Sequence, residues 1–235
     1  MLEFNPDNAA KILLLRREQP ACLSFYEKRV GGLSKPSKMP WYSWSISATE
    51  CKVGSALRDV PGSVCSNCYA MKGRYVFPKV RAALSRRLAC YLRNPETWAA
   101  YMVLLLEGKA KGKLQYFRWF DSGDVQGLEM LQAIVWIAHQ LPHIRFWLPT
   151  KEYGLFKRPG VQKLVASAQN LTVRISAPMI GQYTPMEGYV TSTVGVPIDS
   201  DVWMTDCPAK DNNGKCGDCR ACWSKRHGNV NYPEH

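Results

Sequence analysis

Four cysteines close together near the end of the chain, in "CPAKDNNGKCGDCRACW", carry the strongest chemical signal. Cys207 is followed, after eight residues, by Cys216, Cys219 and Cys222 in a C-x2-C-x2-C run. Zinc sites usually pair thiolates as two separate C-x2-C knuckles. Three cysteines in one run, with a fourth farther off, match iron–sulfur usage, because a cubane takes thiolates from several directions and a tight loop supplies three of them. Gly214 and Gly217 permit the turns, and Trp223 is placed to shield one side from water. A [4Fe-4S] cluster is expected here, with zinc as the alternative. A second set, Cys51, Cys65 and Cys68, lies in the loop 51–69, whose turns Gly54, Pro61 and Gly62 allow. It offers three near thiolates. None of the four histidines has ligand spacing to it, and Cys22 and Cys90 stand alone as plain thiols. Three thiolates suit a cluster with one iron left open, and an open metal position is where chemistry happens.

Nine cysteines, an odd number, do not suit a complete set of disulfides, whereas clustered thiols in a reducing compartment bind metal. The chain has 235 residues, 46% of them hydrophobic, enough for a substantial core and against global disorder. Its greasiest run, "YMVLLLEG", is too short to span a bilayer, and the N-terminus lacks the features of a signal peptide. A soluble cytoplasmic protein with no membrane partner is expected. The formal charge of +12, from 31 Lys and Arg against 19 Asp and Glu, favours a polyanionic partner, nucleic acid or nucleotide. Lys72, Arg74, Arg81, Arg86 and Arg87, behind the first thiol set, are the candidate phosphate contacts.

The elements that must position these residues follow from patterning. Residues 1–40 read as a helix and a basic loop. "WYSWSISA" (41–48) alternates as a first strand, and 78–94 and 95–113 are helices, the former with a first-turn Pro78. Strands at 114–120, 144–150, 171–179 and 188–195 then alternate with helices at 125–142 and 161–170, which predicts an α/β fold with a parallel sheet. The expected divisions are an N-terminal extension (1–40), a partial α/β barrel (41–200) carrying the metal loop, and a small cysteine-rich lobe (201–235). Mid-strand Arg118 and Arg174 are read as functional rather than as simple ion pairs with Asp121 or Glu152.

Several stretches, "KMPWYSWSISATECKVGS", "VPGSVCSNCYAMKGRYVFPKV", "FRWFDSGDVQ", "HIRFWLPTKEY", "NLTVRISAPM" and the final cysteine run, resemble the phage gene product eighty-eight family. More distantly, Cys65, Cys68 and Tyr69 resemble the later part of the cluster motif of radical S-adenosylmethionine (SAM) enzymes. Thirteen residues separate Cys51 from Cys65, a much wider spacing than that motif has. This second likeness implies an incomplete parallel (β/α) barrel. It also implies a SAM site: Ser122, Gly123 and Asp124 after a second strand, Thr150 and Lys151 after a third, Ser176 after a fourth, and Tyr69 beside the metal. The expectation is a phage iron–sulfur enzyme of radical-SAM type acting on a nucleotide or nucleic acid, served by a reductant such as flavodoxin or ferredoxin. The alternatives are a non-catalytic, metal-stapled nucleic-acid-binding protein and an electron-transfer protein.

Overall fold

Residues 4–197 and 203–234 are described in the computed structural model. Two helices come first, α1 (Pro6–Glu18) and α2 (Leu23–Arg29). Asn5 opens α1 by accepting from the Asp7 and Asn8 amides. A short strand β1 (Ser43–Trp44) and helix α3 (Val53–Leu57) precede two long helices, α4 (Pro78–Arg93) and α5 (Pro95–Ala110). Each long helix starts on a proline, whose missing N–H costs nothing in a first turn. Asn94 caps α5 by accepting from the Thr97 amide at 2.6 Å.

Strand–helix alternation then sets in, with β2 (Gln115–Trp119), α6 (Leu128–Gln140), β3 (Ile144–Thr150), α7 (Tyr153–Phe156), α8 (Val161–Ser167) and β4 (Leu171–Ser176). The sheet is completed by β5 (Val190–Val194), β6 (Thr205–Asp206) and β7 (Asn229–Tyr232). All seven described strands are parallel, in the order β1-β2-β3-β4-β5-β7-β6.

The strand period of two sorts the side chains onto two faces. Phe117, Trp119, Phe146, Leu148, Val173 and Ile175 enter the main core beneath the helices, where α5 is buried nearly all round between α1, α2 and α6. Gly108 lets α2 approach α5, since a Cβ there would meet Leu23 Cδ2 at 2.4 Å. Tyr116, Arg118, Trp147, Thr172 and Arg174 meet the cysteine-rich tail instead.

The expected α/β fold with a parallel sheet is present. The sheet is open, with β1 and β6 as its edges, so no closed barrel forms. Nor is the tail set apart from the sheet: β7 lies inside it, between β5 and β6. The expected division at 200/201 falls outside the described residues. The helix expected over 125–142 starts only at Leu128, because Gly127, at φ 158°, precedes it as the cap. No helix among the described residues is long and apolar enough to cross a membrane.

Candidate metal centres

The tail lays its thiols against the sheet face opposite the helices. Cys207, Cys216, Cys219 and buried Cys222 pack with Trp147, Trp223 and Val230. Trp223 fixes this placement: its Nε1 donates to Phe117 O at 2.8 Å, and its own carbonyl accepts from Thr172 Oγ1 at 2.9 Å. Arg174, 0% exposed, does more. Its guanidinium donates to five carbonyls: Thr191, Ala221, Ser224 and His227 at 2.8 Å, and Cys222 at 3.2 Å. No carboxylate among the described residues neutralises it, so the expected alternative of an ion pair with Asp121 or Glu152 does not hold for Arg174.

Burial pushes the thiols of Cys207 and Cys216 up, and that of Cys222 to about 11, although the Tyr232 hydroxyl beside Cys222 pulls the other way. Without a metal these three are neutral at pH 7. Trp147 packs with these thiols, and Arg118 and Arg220 act on Cys216. Arg118 Nε, Trp147 Nε1 and Arg220 Nε are buried and find no acceptor among the described residues, as is also true of the Trp98 and Trp119 indoles in the main core. The Arg118 guanidinium lies 4.4 Å from the Trp147 ring centre, and that of Arg220 lies 4.9 Å from the Tyr116 ring centre. Buried donors are nearly always satisfied, and these three, unlike the two core indoles, have the tail thiols as neighbours. Among the described residues, no group of three or more Cys, His, Asp or Glu is drawn together as a single metal ion would hold it.

The first set sits elsewhere, on the loop that covers the carboxy ends of the strands. In open α/β sheets that edge is where ligands bind. The loop is pinned by backbone contacts: Val53 N donates to Glu152 Oε1, Val64 N donates to Pro178 O, and Ser63 bridges to Met179. Gly54 lies between two of the thiols, since a Cβ there would be 3.6 Å from both Cys51 Sγ and Cys65 Sγ. Cys68 is near enough to act on both electrostatically. Burial, then Asp124 and the other two thiols, push Cys51 up to about 12. Burial also raises Cys65, against the pull of Lys151.

The residues expected to hold a cofactor gather at this edge, but most are already engaged. Asp124 is 7% exposed; Oδ1 accepts from Val125 N at 2.7 Å and Oδ2 from Lys151 N at 2.9 Å. Burial raises its carboxyl to about 6 against these hydrogen bonds and that of Thr150. Gly123, at φ 79°, is required for packing: a Cβ would meet Ile46 Cγ1 at 2.3 Å. Thr150 Oγ1 accepts from Glu152 N, and Ser176 Oγ bonds Ser192. Ser122 Oγ is buried without a partner among the described residues. The Tyr69 hydroxyl donates to Asp121 O and meets Arg118 Nη2 at 3.5 Å.

Arg118 thus lies between the two thiol sets. Burial opposes its charge, but Tyr69 and Asp121 outweigh that and hold it above its ordinary value. Sequence reasoning singles out Arg118 and misses Trp147 and Arg220; the alternation of "IRFWLPT", which puts Trp147 opposite the core residues Phe146 and Leu148, is the available signal. Of the candidate phosphate contacts, Lys72, Arg74, Arg81 and Arg86 are exposed, while Arg87 is 5% exposed and donates to Gly32 O at 3.0 Å. Arg87 is withdrawn from any phosphate, because α4 turns it inward.

The sequence model of a family described as Gene product 88 matches residues 26–225. No curated protein and no solved structure matches the chain. The likeness to radical SAM enzymes gains no support from these comparisons.

Proposed function

The chain belongs to the Gene product 88 family, and from that premise and the two thiol sets we propose that it is an iron–sulfur enzyme acting on a nucleotide or nucleic acid. In this reading Cys207, Cys216, Cys219 and Cys222 hold an auxiliary [4Fe-4S] cluster, and Cys51, Cys65 and Cys68 hold a second one with an open iron. One observation carries it. Arg118, Trp147 and Arg220 present buried, acceptor-free N–H groups around the tail thiols, and Arg174 brings a buried cation without a carboxylate. Neutral thiols satisfy neither demand. Cluster sulfurs, which are anionic and accept hydrogen bonds, satisfy both. The net charge of +12 supports the polyanionic substrate.

A cluster with an open iron supplies one-electron chemistry and a coordination position for a small ligand. The chain's own residues do the rest. Glu152 fixes the start of α3 through the Val53 amide, which holds the loop over the strand ends. Arg58 and Lys151, the cations acting on Cys65, offset the charge that three thiolates would bring. SAM as co-substrate fits less well. Asp124, expected in the SAM site, already has both oxygens engaged by the backbone, and Gly123 is taken up by Ile46.

The tail site also favours a structural role, because Arg174 of β4 holds four of its carbonyls against the sheet. A zinc staple would serve that role equally. Anaerobic purification followed by iron, sulfide and zinc analysis decides the matter. About four irons and four sulfides per cluster are expected, and Cys219→Ala should remove those of the tail alone. Stoichiometric zinc without sulfide would overturn the iron reading and leave a metal-stapled protein.

A further inference from the structure

The chain directly after Cys68 is basic, exposed and partly apolar, and neither metal site uses it. No Asp or Glu occurs between Asp59 and Glu96. Lys72, Arg74, Lys79 and Arg81 are exposed in this stretch, and none forms a salt bridge among the described residues. The ion pairs that are described lie elsewhere, Arg17 with Glu107 and Lys109 with Glu27. Phe77, between these cations, and Met71, just before them, stand out from the surface, Phe77 being 57% exposed at the start of α4. The strip is held firm, because the Tyr75 hydroxyl donates to Asp121 Oδ2 at 2.8 Å and ties it to the end of β2. A preformed surface loses little ordering entropy on binding.

We propose that residues 69–81 are a landing surface for single-stranded nucleic acid, with Phe77 stacking on a base and Lys72, Arg74, Lys79 and Arg81 meeting phosphates. Uncompensated positive charge calls for a polyanion. An exposed aromatic ring among the cations calls for an unpaired base, whose face a duplex hides. The strip leads from Cys68, so a strand lying on it would bring a base towards the first thiol set, and chemistry on a base needs it out of the stack. That direction rests on the first set being the reaction site. The binding itself needs no metal.

The test is fluorescence anisotropy on the full chain with labelled oligothymidylate, a duplex of equal length, and phosphatidylcholine vesicles containing phosphatidylglycerol, with iron measured in each sample. Wild-type protein should bind the single strand more tightly than the duplex, with affinity falling as salt rises. Phe77→Ala should weaken single-strand binding about tenfold without changing the salt slope, and Phe77→Tyr should restore it. Replacing Arg74 and Lys79 by Gln should flatten the slope by about 0.7 for each phosphate no longer neutralised. Leu92→Ala, which removes a 63%-exposed side chain from the far end of α4, should change nothing. Equal duplex binding indifferent to Phe77→Ala, Phe77-dependent binding to vesicles alone, or no binding by iron-loaded protein would each overturn the proposal. Single-strand binding by protein that, purified anaerobically, carries zinc and no sulfide would uphold it while sinking the iron–sulfur reading.

Discussion

At the scale of the residue, the tail site is defined as much by what surrounds the cysteines as by the cysteines. Trp147 is the cleanest probe, because its indole N–H has one function and no partner among the described residues. Hydrogen bonds to cluster sulfurs stabilise the more negative, reduced state and so raise the reduction potential. Trp147→Phe keeps most of the ring packing against Trp223 and Tyr232 and deletes the donor. The proposed tail cluster should then become harder to reduce by tens of millivolts, given about 59 mV per tenfold change for one electron. Redox titration followed by electron paramagnetic resonance measures this. An unchanged potential would mean that the indole points at something other than sulfur. The thiols are legible in the sequence because their spacing is local. The donors are not, because Trp147, Arg118 and Arg220 come from a strand, its neighbour and the tail, and only the sheet register brings them together.

At the scale of the element, positions with local signals are the easiest to read. Pro78, Asn94 and Pro95 mark helix starts, and the apolar run of β3 predicts its observed bounds. The missed strand β7, "NVNY", has two asparagines, which are depleted in strands and read as turn. They are tolerated because Asn229 and Asn231 bond the threonines of β5: Thr193 Oγ1 accepts from Asn229 Nδ2 at 2.9 Å and donates to Asn231 Oδ1 at 3.0 Å. No local pattern announces such a partner. The turn after β2 shows the converse, a local signal with a different cause. Gly123 reads as room for a ligand, yet it is room for Ile46. Gly123→Ala therefore meets both a left-handed backbone and a collision with Ile46 Cγ1 and O, at 2.3 and 2.9 Å. A loss of about 2–4 kcal/mol is expected in urea unfolding. Gly73→Ala has positive φ but nothing within 4 Å, and should cost only about 1 kcal/mol. Similar losses at the two sites would remove the packing argument.

At the scale of the whole molecule, the two thiol sets stand in different relations to the fold. The first loop is pinned by bonds that involve no sulfur: Val53 to Glu152, Val64 to Pro178, the Ser63–Met179 bridge, and Lys52 Nζ to Gln126 O at 2.5 Å. Losing a metal there leaves these bonds in place. The tail has no such independence, because Arg174, Trp223 and Thr172 hold its chain against the sheet and β7 lies between β5 and β6. Loosening the tail uncovers the face of Trp147 and separates Arg174 from the four tail carbonyls it holds, those of Ala221, Cys222, Ser224 and His227, and each unsatisfied buried group costs about 1–3 kcal/mol. In the proposed reading, metal binding at the tail is then folding energy, whereas at the first loop it is chiefly function. Cys68→Ala should accordingly keep the melting temperature of the protein within a few degrees while abolishing one cluster. Cys219→Ala should lower it steeply and expose the amides of β5 and β7 to hydrogen exchange ahead of those of β2 and β3. Thermal melts and exchange mass spectrometry on both variants, prepared anaerobically, make the comparison. If Cys68→Ala unfolds the chain and Cys219→Ala does not, the assignment of reactive loop and structural tail is the wrong way round.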